Sequence, residues 1–382
     1  MSTTAAARFG EQVLPPWRRA VLKVGSSLLA ADGGGLSTRY AAAIARFVTA
    51  SHEAGREVVI VSSGAVAAGG AILRGQPAAG APMAERQALA ALGQAQLMGF
   101  WQALLDRPVA QVLLTHDDLR NRRRYLNART TLAALLRHRA VPVVNENDTV
   151  SVDELKLGDN DNLAAIVAAL VDADVLFIAT DIDGLYDADP RRHPDARPVE
   201  TVAELTPALL AAAGGSGSAV GTGGMRTKLE AAQRASAAGI ATVLFNGRRA
   251  GVLEALVRDR LTGTRILARR SRLAVRKHWL RNAPSGPGGI VVDTGAANAL
   301  IEKGASLLPG GVVDAEGEFR RGDLVEVLVR DGQGTRCIAR GVTQYSAQDI
   351  RRIARRHSND IQAVLGYNYG DNIIHRDDLV LT

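Results

Sequence analysis

Apolar residues gather along the chain in two kinds of segment. Short runs rich in Val, Ile and Leu, with no polar alternation, occupy residues 20–24, 58–62, 109–114, 141–144, 175–179 and 242–245. A strand reads this way when both of its faces are buried. Between most of these runs lie longer Ala- and Leu-rich stretches with helical spacing, such as residues 39–54, 84–105 and 163–171. The alternation predicts βαβ units: an α/β fold with a mainly parallel sheet sandwiched by helices, over residues 19–268.

From residue 269 the pattern changes. Arg269, Arg270, Arg272, Arg276, Lys277 and Arg281 follow with no acidic residue among them, and then comes Pro284-Ser285-Gly286-Pro287-Gly288-Gly289. Residues 269–289 read as a linker. Beyond it, short apolar runs between frequent turns predict a small β-rich domain over residues 290–382. Its Arg321-Gly322-Asp323 triplet reads as a hairpin turn. At the other end, residues 1–18 show neither periodicity nor the apolar core of a secretory signal, and the expectation is a disordered leader.

Composition narrows the class. A chain of 382 residues with 47% apolar content can bury two domain cores. No run approaches the ~20 apolar residues that a membrane-spanning helix needs. Cys337 is the single cysteine, so no internal disulfide or zinc framework is expected, and a reducing, cytoplasmic setting is. The net charge of +7 invites a nucleic-acid reading. Of the 46 basic residues, however, only five are lysine: Lys23, Lys156, Lys228, Lys277 and Lys303. In so Arg-rich a chain, a retained lysine points to a need for a compact ammonium rather than a planar fork.

Three of those lysines fall in motifs that follow strands, where an open α/β sheet binds its ligands. Lys23-Val24-Gly25-Ser26-Ser27 and Ser62-Ser63-Gly64-Ala65 are small-residue turns whose backbone N–H groups can approach an anion. Asn145-Glu146-Asn147-Asp148 and Lys156-Leu157-Gly158-Asp159-Asn160-Asp161-Asn162 offer acceptors for an ammonium and donors for a carboxylate, as an amino acid requires. Thr180-Asp181-Ile182-Asp183-Gly184-Leu185-Tyr186 puts carboxylates at a strand end, suited to a ribose or a Mg²⁺ shell. Gly221-Thr222-Gly223-Gly224-Met225-Arg226-Thr227-Lys228 opens a helix and has the make-up of a phosphate-binding loop. Neither the P-loop nor the dinucleotide-binding glycine signature occurs in the chain.

In this order the motifs resemble those of the amino-acid kinase family, and within it the bacterial branch that phosphorylates the side-chain carboxylate of L-glutamate. The last domain resembles a PUA domain, which that branch often carries. The resemblance implies catalytic roles for Lys23, Lys228 and Asp161, and a glutamate site at Ser63, Asp148 and Asn160. It implies ATP contacts from Lys23, Thr180, Asp181, Thr222, Gly223, Gly224, Met225, Arg226, Thr227 and Lys228. Mg²⁺ would arrive with ATP, and no protein ligand to it is assigned. Also implied are the first step of proline biosynthesis, feedback inhibition by proline, a homo-oligomer (dimer or tetramer) and RNA as a ligand of the PUA-like domain. One departure is Ile182-Asp183, where the family more usually has Gln-Lys. Two alternatives stay open: a kinase of N-acetylglutamate or aspartate, and an RNA-binding protein. The glutamate reaction needs no general base, because a side-chain carboxyl with a reference pKa of about 4.3 is already ionised.

Overall fold

The computed structural model describes residues 8–30, 35–73, 82–151, 160–190, 193, 195–212, 224–269, 280, 288–331 and 334–382. The chain divides into two compact units, Met1–Arg270 and Ser271–Thr382.

The first unit runs β1 (Glu11–Val13), β2 (Arg19–Val24), α1 (Thr38–Glu53), β3 (Glu57–Ser62), α2 (Ala65–Ile72), α3 (Met83–Leu104), β4 (Val109–Leu114), α4 (His116–Arg120), α5 (Arg122–Arg137) and β5 (Val141–Glu146). It continues with α6 (Asn160–Leu170), β6 (Val175–Thr180), the short strands β7 (Leu185–Tyr186), β8 (Pro198–Val199) and β9 (Thr201–Val202), then α7 (Pro207–Ala212), α8 (Met225–Ala237), β10 (Ala241–Asn246), α9 (Ala250–Val257) and β11 (Arg260–Ile266). The main sheet has the order β1-β11-β10-β6-β2-β3-β5-β4. Its members from β10 to β4 pair in parallel, whereas β11 pairs antiparallel with β10 and with β1. The expected α/β fold with a mainly parallel sheet is what forms.

Strand alternation divides the interior in two, because successive side chains point to opposite faces. Ala20, Leu22 and Val24 of β2 pack with Phe177 of β6, Ile44 of α1 and Leu97 of α3 on one face. Val21 of β2 packs with Leu176 and Ile178 of β6, Leu132 of α5, Leu163 of α6 and Leu229 of α8 on the other. Both faces are covered, which explains the absence of polar alternation in these strands.

Two boundaries differ from expectation in ways that matter. β5 runs on through Asn145 and Glu146, and α6 begins at Asn160, so Asp161 and Asn162 lie in its first turn. The expected disordered leader is also corrected over residues 8–18. β1 pairs with the edge of β11, and Phe9, Leu14 and Trp17 are buried. Trp17 packs edge-on against Phe177 at 5.5 Å, lies beneath the Arg56 guanidinium, and donates from Nε1 to Asp259 at 3.2 Å. These apolar residues have no regular spacing, so their packing follows from an open sheet edge that needs covering.

The second unit comprises β12 (Gly288–Val292), α10 (Thr294–Lys303), β13 (Val312–Gly317), β14 (Leu324–Asp331), β15 (Gly334–Val342), α11 (Ala347–Ile353), α12 (Ile361–Leu365) and β16 (Leu379–Leu381). Its sheet order is β13-β12-β14-β15-β16, around its own core of residues such as Ile290, Val325, Val327 and Ile350. Most of the expected 269–289 linker lies outside the described residues, but Leu280 within it is buried against Leu324, Val342 and Val380.

Truncating the N-terminal anchor tests this packing. Trp17→Ala is expected to lower stability by about 3–5 kcal/mol, read as a lower urea midpoint for the first unit.

Candidate active site

Sheet order locates the site. β2 lies between β3 and β6, and the chain builds outward on the β3 side before crossing back to β6. A crevice opens beyond the carboxyl ends of strands where the order reverses in this way. Lys23 stands one residue from the end of β2, Ser62 ends β3, Asn145 is next to last in β5, Thr180 ends β6 and Asn246 ends β10.

The starts of α6 and α8 meet there across a charge cluster. Asp161 is 1% exposed, Lys23 6% and Lys228 7%. Lys23 Nζ lies 2.6 Å from Asp161 Oδ1, and Lys228 Nζ 3.3 Å from Oδ2. Thr227 Oγ1 also donates to Asp161 Oδ2, at 2.8 Å. Burial by itself would push the Asp161 carboxyl up. The two ammonium groups, with hydrogen bonds from Lys23 and Thr227, override it and hold the group well below the usual carboxylate range. Burial lowers the Lys228 pKa, and the opposing pull of Asp161 is weaker. Asp181 also acts on Lys228 from farther off, so two buried ammonium groups bring positive charge around the Asp161 carboxylate. The N-terminus of α8 adds to it, since its N-cap Gly224 supplies no side-chain cap. Such a cluster attracts an anion.

Beside it lies a network of neutral amides. Asn160 Nδ2 donates to Ser63 Oγ at 2.8 Å and to Asn145 Oδ1 at 3.0 Å. Asn145 Nδ2 donates to Gln94 Oε1 at 3.0 Å, and Trp101 Nε1 to Ser62 Oγ at 2.9 Å. Gln94 and Trp101 come from α3, which packs against α2 with backbone nearly touching backbone. A Cβ on Gly93 would stand 1.8 Å from the Ala65 carbonyl oxygen, and one on Gly69 1.9 Å from that of Leu89. Gly64 precedes α2 at φ +113°, a conformation open to glycine, and turns the chain from Ser63 into the helix. Asp148, in the turn after β5, is half-buried. Burial and the neighbouring Glu146 raise its carboxyl to about 6, against a weaker opposing pull from Arg86.

The loop after β6 forms the other rim. Thr180 is buried, and its carbonyl accepts from Gly247 N at 2.8 Å. Asp181 faces Arg248 at 3.7 Å. Asp183, at the departure from the family pattern, accepts from Asn246 Nδ2 at 2.8 Å and pairs with Arg249 at 3.0 Å. Thr264 of β11 anchors the far end by accepting from Leu185 N at 2.8 Å. Phe9 packs edge-on against Tyr186 with ring centroids 5.2 Å apart.

The structure thus brings Lys23, Asp161, Thr227 and Lys228 together, and Ser63 with Asn160. Met225 packs on the second core, and Arg226 pairs with Glu230 at 2.9 Å along the exposed side of α8. Thr222 and Gly223 lie outside the described residues, as do Lys156 and Asp159. Gln94, Asn246, Arg248 and Arg249 were not singled out from sequence. The strand-end rule, carried on to residues 242–245, reaches Asn246 and its neighbours. Gln94 sits mid-helix and carries no such signal. No group of three His, Cys, Asp or Glu side chains among the described residues is placed to hold a metal ion.

The family model described as "Amino acid kinase family" matches residues 18–246, and that of the PUA domain residues 288–365. Glutamate 5-kinase of Xanthomonas oryzae pv. oryzae (strain KACC10331 / KXO85) is 73% identical over 94% of this chain and 100% of its own length. That of Xanthomonas campestris pv. campestris (strain 8004) is 72% identical over the same shares. That of Xylella fastidiosa (strain M12) is 66% identical over 98% of each chain.

Two carboxylates of the site carry opposite stability signatures. Asp161→Asn is expected to cost about 3–5 kcal/mol at pH 7, because it removes the carboxylate that both buried ammonium groups contact. Since the folded pKa of Asp161 is depressed, its contribution is present above the unfolded value and is lost as pH falls through the folded one. The two proteins therefore converge in strong acid. Asp148→Asn is expected to stabilise by about 1–2 kcal/mol above pH 6, the full shift being discounted for partial exposure. Its folded pKa is raised, so that gain fades as pH falls from about 6 toward the unfolded value. Denaturant titrations at pH 7 and in strong acid check the first, and from pH 4 to pH 8 the second.

Proposed function

The chain belongs to the amino acid kinase family, in its glutamate 5-kinase branch, and from that membership we propose that it transfers the γ-phosphoryl group of ATP to the side-chain carboxylate of L-glutamate. The product is L-glutamyl 5-phosphate, and the reaction opens proline biosynthesis. The observation that best supports this reading is the buried Asp161 carboxylate held between Lys23 and Lys228.

The bond between Pγ and the β,γ-bridging oxygen breaks as one between Pγ and a glutamate carboxylate oxygen forms. The obstacle is electrostatic, since an anion must approach an anion. Lys23 and Lys228 neutralise oxygens of the transferring group, and Asp161 holds their ammonium groups in place before substrate arrives, so no reorganisation is needed during the reaction. Thr227 and the N-terminus of α8 receive the phosphates, with the loop through Thr222, Gly223, Gly224, Met225 and Arg226. Thr180 and Asp181 meet the nucleoside side. Ser63 and Asn160 hold glutamate, and the Asp148 carboxylate faces its ammonium. Mg²⁺ belongs to the substrate as Mg·ATP. Asp161 is already engaged by two lysines and a threonine, which fits a divalent ion carried in on the phosphates rather than one held by a dedicated protein cage.

Among the described residues no helix is long and apolar enough to cross a membrane, and a cytoplasmic reaction is part of the proposal. Family resemblance alone adds feedback by proline, a homo-oligomer and RNA as the ligand of the PUA unit.

Trapping the acyl phosphate with hydroxylamine tests the reaction. Hydroxamate should form with L-glutamate and Mg·ATP, and not with N-acetylglutamate or aspartate. Lys23→Ala is expected to lower kcat about 10²–10³-fold, and near-normal turnover would remove Lys23 from the mechanism. The KM for glutamate should rise as pH falls through about 6, where Asp148 takes up its proton. That dependence should vanish in Asp148→Asn, which should bind glutamate weakly at every pH.

A further inference from the structure

We infer that Gln94 is a positioning residue for this reaction: through Asn145 it sets which polar atoms of the glutamate pocket donate hydrogen bonds and which accept. The inference rests on the proposal that Ser63 and Asn160 hold glutamate.

Gln94 lies in the middle of α3, outside every motif, yet it is only 9% exposed. Its Oε1 accepts from Asn145 Nδ2 at 3.0 Å, and Asn145 Oδ1 accepts from Asn160 Nδ2 at 3.0 Å. A series of three amides can run in either direction, because both ends of each group form hydrogen bonds. The two N–H groups of Asn160 go to Ser63 Oγ and Asn145 Oδ1, and the Ser62 carbonyl oxygen, 3.4 Å from Nδ2, disfavours the flipped amide, whose oxygen would face another acceptor. The nitrogen of Asn160 therefore faces Ser63 and Asn145, which leaves its oxygen as the end without a partner among the described residues. Gln94 Oε1, as acceptor at the far end, holds Asn145 in the matching orientation.

Two features of the pocket follow. Ser63 Oγ accepts from Asn160 at 2.8 Å and keeps its own proton for an outside acceptor, which suits a substrate carboxylate. Asn160 Oδ1 is buried without a hydrogen-bond partner among the described residues, an open acceptor that suits an ammonium. Gln94 Nε2 is also buried and unpartnered among them. An orphaned buried donor is destabilising, and an apolar side chain of the same size would remove this one while orphaning Asn145 Nδ2 in its place. Its oxygen is what the site uses.

The test compares wild type, Gln94→Met, Asn145→Ala and the double variant in the hydroxamate assay, with Gln94→Leu as a second apolar variant should Gln94→Met fail to fold. Gln94→Met is expected to raise the KM for L-glutamate about tenfold, the scale of one lost hydrogen bond. The KM for Mg·ATP should stay within about twofold, and the thermal midpoint should move little, since one orphaned donor replaces another. Discrimination against glutarate, which lacks the ammonium, should weaken. In the Asn145→Ala background the same change should add less than about twofold, because the series is already broken. An unchanged glutamate KM, a parallel rise of both KM values with a lower midpoint, or full additivity with Asn145→Ala would each overturn the inference. Wild type that makes no hydroxamate from L-glutamate would instead overturn the reading on which it rests.

Discussion

The site depends on the contact of the Asp161 carboxylate with Lys23 and Lys228. Three charged side chains are withdrawn from water together, which is tolerable only because each finds an opposite charge within hydrogen-bond distance. Two lysines share the one carboxylate, with Asp181 acting on Lys228 from farther off, and buried ammonium groups so arranged can meet an anion. Strand β2 contributes one lysine, the first turn of α8 the other, and the first turn of α6 the carboxylate. The sheet order and the helix starts are therefore constrained by a single ionic contact.

Packing supplies the precision that this contact needs. The parallel strands bury Val, Ile and Leu on both faces, so their carboxyl ends are held by two cores at once. The Gly69 and Gly93 approach lets α3 lie against α2 closely enough for Gln94 and Trp101 to reach the strand ends. Asp148 shows the opposite tendency. Its carboxyl is raised by burial and by Glu146, so the fold is less stable for carrying it ionised.

Much of the frame was legible in the residues. Unbroken apolar runs identified six members of the parallel sheet, the strand-end rule led to the motifs holding Lys23, Ser63, Asn160 and Asp161, the glycine-rich helix start to that of Lys228, and the family resemblance to the individual residues. The misses share a physical cause. Residues 8–18 carry apolar side chains without periodicity, and β11 alternates polar and apolar residues as an edge-side strand does. Both depend on what the sheet leaves uncovered. Asn160, Asp161 and Asn162 fell before the apolar stretch at 163–171 that marks the helix, and α6 takes them into its first turn, where they are buried.

The sequence by itself determined the fold class, the order of the phosphate and amide motifs, and the scarcity of lysine that drew attention to Lys23, Lys156 and Lys228. Each of these is written in local spacing and residue type. Tertiary structure alone decided that Lys23 and Lys228 share one carboxylate, that the N-terminal segment belongs to the sheet, and that Gln94 faces Asn145. Those outcomes turn on contacts between residues far apart in the chain. Only the closing of the two cores fixes which of those residues meet, because burial and charge compensation are properties of the packed molecule and not of any one segment.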